Sequence, residues 1–266
     1  MKSIPLLVFL ASCLFSQGLL AQPQSKSVLG VTDADMIERL MPIVPGVNVY
    51  ENGNLEAQSV KSYMMPVRKL ESNGSEESYL LASCLEYYVN LNKNYKVNLS
   101  PDYLALNLRS QGKQVDFKTA FQQMSETGTV SAAIMPYGST KITAAVYATQ
   151  KFRIQNYLIL FREMSSSRQK IFELKKALIR GNPVLVEILA DASLPKAVGQ
   201  RQFNLSNKGK EKYALIVVGF DQEKEAFEVM SPWGSSWGQG GYLWIDFDDL
   251  SRQTQTAFVM VPDVRF

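Results

Sequence analysis

The residues of this chain that could carry out nucleophilic or acid–base chemistry are few: two cysteines, Cys13 and Cys84, and a scattering of Asp, Glu, Ser and Tyr. There is no histidine at all. That zero removes Ser-His-Asp and Cys-His catalysis, because a hydroxyl or thiol nucleophile in those systems needs an imidazole to take its proton. It also removes histidine zinc sites and the H-E-x-x-H peptidase. Two cysteines cannot build a four-cysteine metal site, so no metal and no cofactor are expected. What remains is the thiol of Cys84, the one cysteine left if the N-terminal segment is removed as a signal, together with carboxylates and hydroxyls that composition alone does not rank.

The elements that would position these groups can be read from pattern. Asn73 or Ser75 can cap a helix, and Asn73-x-x-Glu76 has the spacing of a capping box. Acids in the first turn favour such a helix by about 0.3–1 kcal/mol. Leu80, Leu81, Cys84, Leu85 and Tyr88 then share one face, so Cys84 reads as a small core residue two turns in. Tyr213 to Phe220 is a nearly continuous apolar run, fit for a strand buried on both faces. Asp221 to Lys224 is a turn, Ala226 to Met230 a second strand, and Tyr242 to Ile245 a third. Helices are expected from about residue 34 to 41, with Met36, Ile37, Leu40 and Met41 along one face, from Ser100-Pro101 to about Arg109, from Asp116 to Glu126 and from Gln169 to Ile179. Ile142 to Thr149, Phe152 to Phe161, Pro183 to Leu189 and Ala257 to Val261 read as β-rich, and Ala190 to Lys210 as a long loop.

Two of these stretches carry a resemblance. Tyr213 to Asp221 reads Y-A-L-I-V-V-G-F-D, and Ser231 to Tyr242 reads S-P-W-G-S-S-W-G-Q-G-G-Y. They resemble the C-terminal motifs of papain-like cysteine peptidases, in which the first opens with the catalytic histidine and the second with the asparagine that orients it. Pro66 to Glu86, P-V-R-K-L-E-S-N-G-S-E-E-S-Y-L-L-A-S-C-L-E, resembles the family's P-V-K-N-Q-G-x-C-G-S-C-W motif in ungapped register. In that register the oxyanion-hole glutamine corresponds to Leu70, the nucleophilic cysteine to Glu76, the following tryptophan to Glu77, the histidine to Tyr213 and the asparagine to Ser231. Weaker echoes are Met135-Pro136-Tyr137 and G-N-P-V-L-V-E-I from Gly181. Cys84 does not fit as the nucleophile, because Leu85-Glu86 would then follow it directly instead of two turns later.

The resemblance implies an α+β fold of two lobes over residues 62–266: a helical lobe to about residue 150, then an antiparallel β-barrel lobe from about 151. It implies a scaffold whose catalytic positions are all replaced, with Glu76, Glu77, Tyr213 and Trp233 lining the old cleft. A peptide or protein ligand is the expected partner. The alternatives are a hydrolase built around Glu76 and Tyr213, a purely structural role, and a peptidase using Cys84.

Composition fits one ordinary globular unit: 266 residues, 46% hydrophobic, 20% charged, formal charge +3. Nothing in that charge suggests a nucleic-acid partner. Residues 1–21, with Lys2 before the apolar Ile4 to Phe15, read as a secretory signal, and 22–61 as an N-terminal extension. The expected location is secreted or periplasmic, free of the membrane once the signal is removed; lipidation at Cys13 is the disfavoured alternative.

Overall fold

A computed structural model describes residues 29–47, 56–110, 112, 115–206 and 209–264. The expected signal, Cys13 and most of the polar tail after it lie outside the described residues.

The helical lobe begins with α2 (Glu76–Lys93), preceded by the short α1 (Ala34–Leu40) and β1 (Ala57–Ser59). Two further helices, α3 (Pro101–Ser110) and α4 (Phe117–Glu126), pack beside it. The β lobe follows as β2 (Ile154–Arg162), α5 (Ser167–Ile179), β3 (Val184–Ala190), β4 (Glu211–Asp221), β5 (Ala226–Met230), β6 (Tyr242–Asp246), α6 (Phe247–Gln253) and β7 (Thr254–Pro262). The strand order is β2-β7-β3-β4-β5-β6, with β1 beside β4, and every pair is antiparallel.

The sheet divides two hydrophobic cores by its period of two. On β4, Leu215 and Val217 enter one core with α5 and α6, while Ala214, Ile216 and Val218 enter the other with α2 and α4. On β7, Ala257 and Val259 alternate in the same way with Phe258 and Met260. This accounts for the unbroken apolar run from Tyr213: both faces of the strand are covered, so no polar alternation survives.

Both sheet edges are screened by short backbone segments. At the β2 edge, Val31 accepts from Ile159 N–H (2.8 Å) and donates to Tyr157 O (3.0 Å). At the β6 edge, Trp244 N–H donates to Arg201 O and Phe203 N–H to Trp244 O, both at 3.0 Å. Unpaired edges invite pairing with other chains, and these contacts remove part of that exposure. The stretch around α1 is bound to the β lobe: Glu38 pairs with Lys176 and Arg180, Asn182 donates to Pro42 O (2.7 Å), and Val44 and Val47 are buried against Gly181.

Three expectations are corrected. The region expected to be β-rich at 142–149 is a 3₁₀ helix, Ala144–Ala148. It turns Val146 alone into a small core with Tyr103, Val130 and Met135. Of the two caps expected for α2, Ser75 is the one used, its Oγ accepting from Ser78 N–H (3.1 Å) while Ser78 Oγ accepts from Ser75 N–H (3.1 Å); the box expected between Asn73 and Glu76 does not form. Met36 does not line the inner face of α1: it is exposed, and Ile37 and Met41 are buried instead. Helix α6 has no counterpart in the expected elements, although Asp246 Oδ1 caps it by accepting from Asp248 and Asp249 N–H.

Candidate active-site cleft

Ser75 ends the loop that enters α2, so Glu76 is the first helical residue and projects from the helix N-terminus. Its carboxylate crosses to the β lobe. Ala214 N–H on β4 donates to Oε2 (2.9 Å), and the Trp233 indole Nε1–H donates to Oε1 (2.9 Å). Glu76 therefore ties α2, β4 and the β5–β6 loop together with one side chain. Burial is the largest influence on this carboxyl and pushes it up to about 6, outweighing the two donors, which favour the ionised form; Glu77 beside it raises it further.

Trp233 is held by its loop. The Gly234–Gly241 segment turns at Gly238 (φ +55°) and Gly241 (φ +92°), where a Cβ would meet Tyr242 O at 2.0 Å or the Val67 side chain at 2.6 Å. Only glycine tolerates both the left-handed backbone and the contact. The Trp233 ring meets Trp237 edge to face at 5.3 Å and Tyr213 at 5.6 Å, 88° apart. The Trp237 indole N–H in turn donates to Leu194 O (2.7 Å), so the loop expected from 190 to 210 is anchored at this corner.

Tyr213 and Glu76 are brought to the same corner by different faces of the aromatic cluster, but no hydrogen bond joins them. The Tyr213 hydroxyl donates to Glu211. Burial and Glu211 push that phenol up to about 12, so it is protonated near neutrality. Ser231 is fully buried and turned into its own loop: its Oγ accepts from Trp233 N–H (3.2 Å) and its N–H donates to Gly241 O (3.2 Å). Leu70 lies at the same junction, where its N–H donates to Pro232 O (2.8 Å) and Lys69 bridges to Trp233. Glu77 is half-buried on the same helical turn. Burial raises its carboxyl, Ser75 lowers it, and Asp116 raises it. Of the cleft residues named from sequence, Glu76, Tyr213 and Trp233 form one cluster, with Leu70 and Ser231 behind it and Glu77 beside it.

Two participants were not identified from sequence. Ala214 acts through its backbone N–H, which no side-chain pattern advertises. Glu211 accepts the Tyr213 hydroxyl two residues along the strand, on the exposed edge of the motif.

Cys84 lies two turns further down α2 with no solvent exposure, among the helical-lobe core residues. Burial pushes its thiol well above the ordinary range. A thiol attacks as thiolate, and this one has neither solvent access nor a neighbouring cation to stabilise that anion. Among the described residues no group of three or more Cys, Asp and Glu is placed to hold a metal ion.

The chain has clear relatives. It is 28% identical over 195 residues to viral cathepsin of Adoxophyes honmai nucleopolyhedrovirus, covering 69% of this chain and 54% of that protein. It is 28% identical over 194 residues to cathepsin K of Mus musculus, covering 68% and 56%. The chain thus spans about half the length of these curated relatives. Among solved structures, digestive procathepsin L 3 of Tenebrio molitor larval midgut superposes with a TM-score of 0.64 at 17% identity, over 85% of this chain and 78% of that one. Xylellain, a cysteine protease from Xylella fastidiosa, superposes with a TM-score of 0.63 at 15% identity, over 88% and 94%. Those likenesses bear on the fold alone, a helical lobe joined to an antiparallel β lobe. Residues 54–259 match the family model described as papain family cysteine protease, well over half of the sequence, and the chain therefore belongs to the papain family of cysteine proteases.

Proposed function

We propose that this protein is a secreted or periplasmic member of the papain family that does not hydrolyse peptides, and that its interlobe junction serves to hold a peptide or protein partner. One observation carries the reading. At the position that aligns with the family's nucleophile, the Glu76 carboxylate has both oxygens engaged by N–H donors of the protein itself. Thiol proteolysis needs a nucleophile, a base, a group to orient the base and an oxyanion donor. The four aligned positions offer a carboxylate, a protonated phenol, a buried serine turned into its own loop and a leucine side chain. An anion at the helix N-terminus also opposes negative charge developing on a substrate carbonyl.

The reading of Glu76 and Tyr213 as an acid–base pair gains little support. Burial, not a second catalytic carboxylate, is the main cause of the raised Glu76 carboxyl, and the Tyr213 hydroxyl is committed to Glu211. Secretion rests on Lys2 and the apolar stretch that follows it; among the described residues no helix is long and apolar enough to cross a membrane.

The test is turnover and labelling of the chain lacking residues 1–21. The expected result is no cleavage of a fluorogenic peptide library between pH 4 and 8, and no labelling by an epoxide thiol probe. Labelling that disappears in Cys84→Ala, or peptide cleavage that disappears in Glu76→Gln, overturns the proposal. Enrichment of peptides over a scrambled control on the immobilised chain supports the partner-holding role, and no enrichment counts against it.

A further inference from the structure

A pocket of about 370 Å³ lies at the β6 edge and is lined by Arg201, Gln202, Lys224, Ala226 and Trp244. None of these residues belongs to the Glu76 cluster. The volume is near the lower end of the range for small-molecule sites, roughly 300–1,000 Å³.

Backbone contacts set the position of each group. Segment 201–203 runs beside β6, with Gln202 bridging to Trp244 in parallel register. Arg201 and Gln202 are therefore presented from an extension of the sheet. Lys224 comes from the β4–β5 turn, where Asp221 Oδ1 accepts from Glu223 N–H (3.0 Å) and Lys224 N–H (3.1 Å), and Glu225 adopts a left-handed conformation (φ +50°). The Lys224 ammonium lies 4.8 Å from the centre of the Trp244 ring.

The pocket lining carries two cations, Arg201 and Lys224, and no carboxylate. Lys224 pairs with Asp221. Asp246, opposite Ala226 in the ladder, caps α6 and is not among the lining residues. Arg201 is exposed, and among the described residues no carboxylate forms an ion pair with it.

We propose that this pocket binds a carboxylate carried on a sugar ring. The guanidinium fork of Arg201 matches a carboxylate in two parallel hydrogen bonds. Trp244 lines the pocket with a ring that carries Lys224 over one side, and its apolar indole suits the C–H side of a sugar ring, the half that water solvates poorly. The Gln202 amide both donates and accepts, as hydroxyl groups require. A neutral sugar leaves Arg201 unused, and a bare inorganic anion leaves the indole face unused, so the two features together select the combination.

The test is a titration of the chain lacking residues 1–21 with glucuronate, glucose and inorganic phosphate at pH 7 and low salt, followed by the indole N–H resonance of Trp244 in NMR spectra. Glucuronate is expected to saturate and shift that resonance, with glucose and phosphate each at least tenfold weaker. Arg201→Gln, an exposed change that leaves the backbone register intact, is expected to weaken glucuronate at least tenfold. Trp244→Phe, read by the backbone amides of 201–203, is expected to weaken it several-fold. Glu76→Gln is expected to leave binding unchanged, which separates this site from the cleft. Failure of glucuronate to saturate, glucose or phosphate binding as tightly, or an Arg201→Gln affinity within twofold of the parent each overturns the proposal.

Discussion

Glu76 and Cys84 sit on the same helix, eight residues apart, and their surroundings are opposite. At the helix mouth, a carboxylate faces a strand end and an indole, and the protein supplies a donor to each of its oxygens. Two turns below, a thiol is sealed among Leu80, Leu81, Leu85 and Tyr88, and nothing there would stabilise a charge. The helix thus presents an acid at its mouth and keeps its sulfur where the lobe needs a small apolar group. A burial site tolerates a group according to the partners it provides: Glu76 is partly buried with donors waiting, and Cys84 is fully buried without them.

The most severe test of this contrast moves the charge down the helix. Cys84→Glu places a carboxyl in a pocket with no donor and no room, combining overpacking with an unpaired buried acid. The expected loss is more than about 4 kcal/mol in urea unfolding, or failure to fold. A loss under about 1 kcal/mol would mean that the thiol's surroundings are open after all. The converse change, Glu76→Ala, strips the acceptor from Ala214 N–H and the Trp233 indole. If water does not replace it, the two orphaned donors cost about 1–3 kcal/mol, measured near pH 5, where burying the charge costs least. An unchanged stability together with fast hydrogen exchange at Ala214 would mean that solvent already reaches the junction.

The pH dependence of the same carboxyl gives a subtler separation. Its folded value, about 6, exceeds the ordinary 4.5, so the folded state binds that proton more tightly than the unfolded chain does. The stabilisation is fully present below about pH 4.5 and is lost as pH rises through 6. Relative to Glu76→Gln, which cannot titrate, the parent chain should lose about 2 kcal/mol between pH 4.5 and 7. A difference that stays flat, or rises with pH, would show that the two donors outweigh burial.

Sequence made the scaffold legible to the extent that its forces are periodic or local. The run from Tyr213 announced a strand covered on both faces, and it is shared by two cores. The stripe through Leu80, Cys84 and Tyr88 placed the thiol inside. Local pattern misled at Asn73-x-x-Glu76, because a capping box and a long-range acceptor look alike over four residues. Glu76's actual donors lie 138 and 157 positions away in sequence, and one of them is a backbone N–H. The stretch from Ile142 to Thr149 misled for a related reason: its β-branched Ile142, Thr143, Val146 and Thr149 suit a strand, but among the described residues no neighbouring strand pairs with it. Helix α6 could have been found, since D-F-D-D-L-S-R-Q opens with a capping Asp and two acids in the first turn.

Tyr213→Phe carries the smallest expected effect and isolates the hydroxyl. The ring's edge-to-face contact with Trp233 is kept, so the packing contribution is unchanged. What is lost is one hydrogen bond to Glu211, an exposed residue, where water is a ready substitute. Stability should change by less than about 0.5 kcal/mol, and the titration of Glu76 should hold its position near pH 6. If the hydroxyl instead served Glu76, its removal would take a donor from that carboxylate and move its titration upward. A shift of that kind, followed through the Trp233 indole resonance, would join the two residues as a functional pair and undo the separation between them.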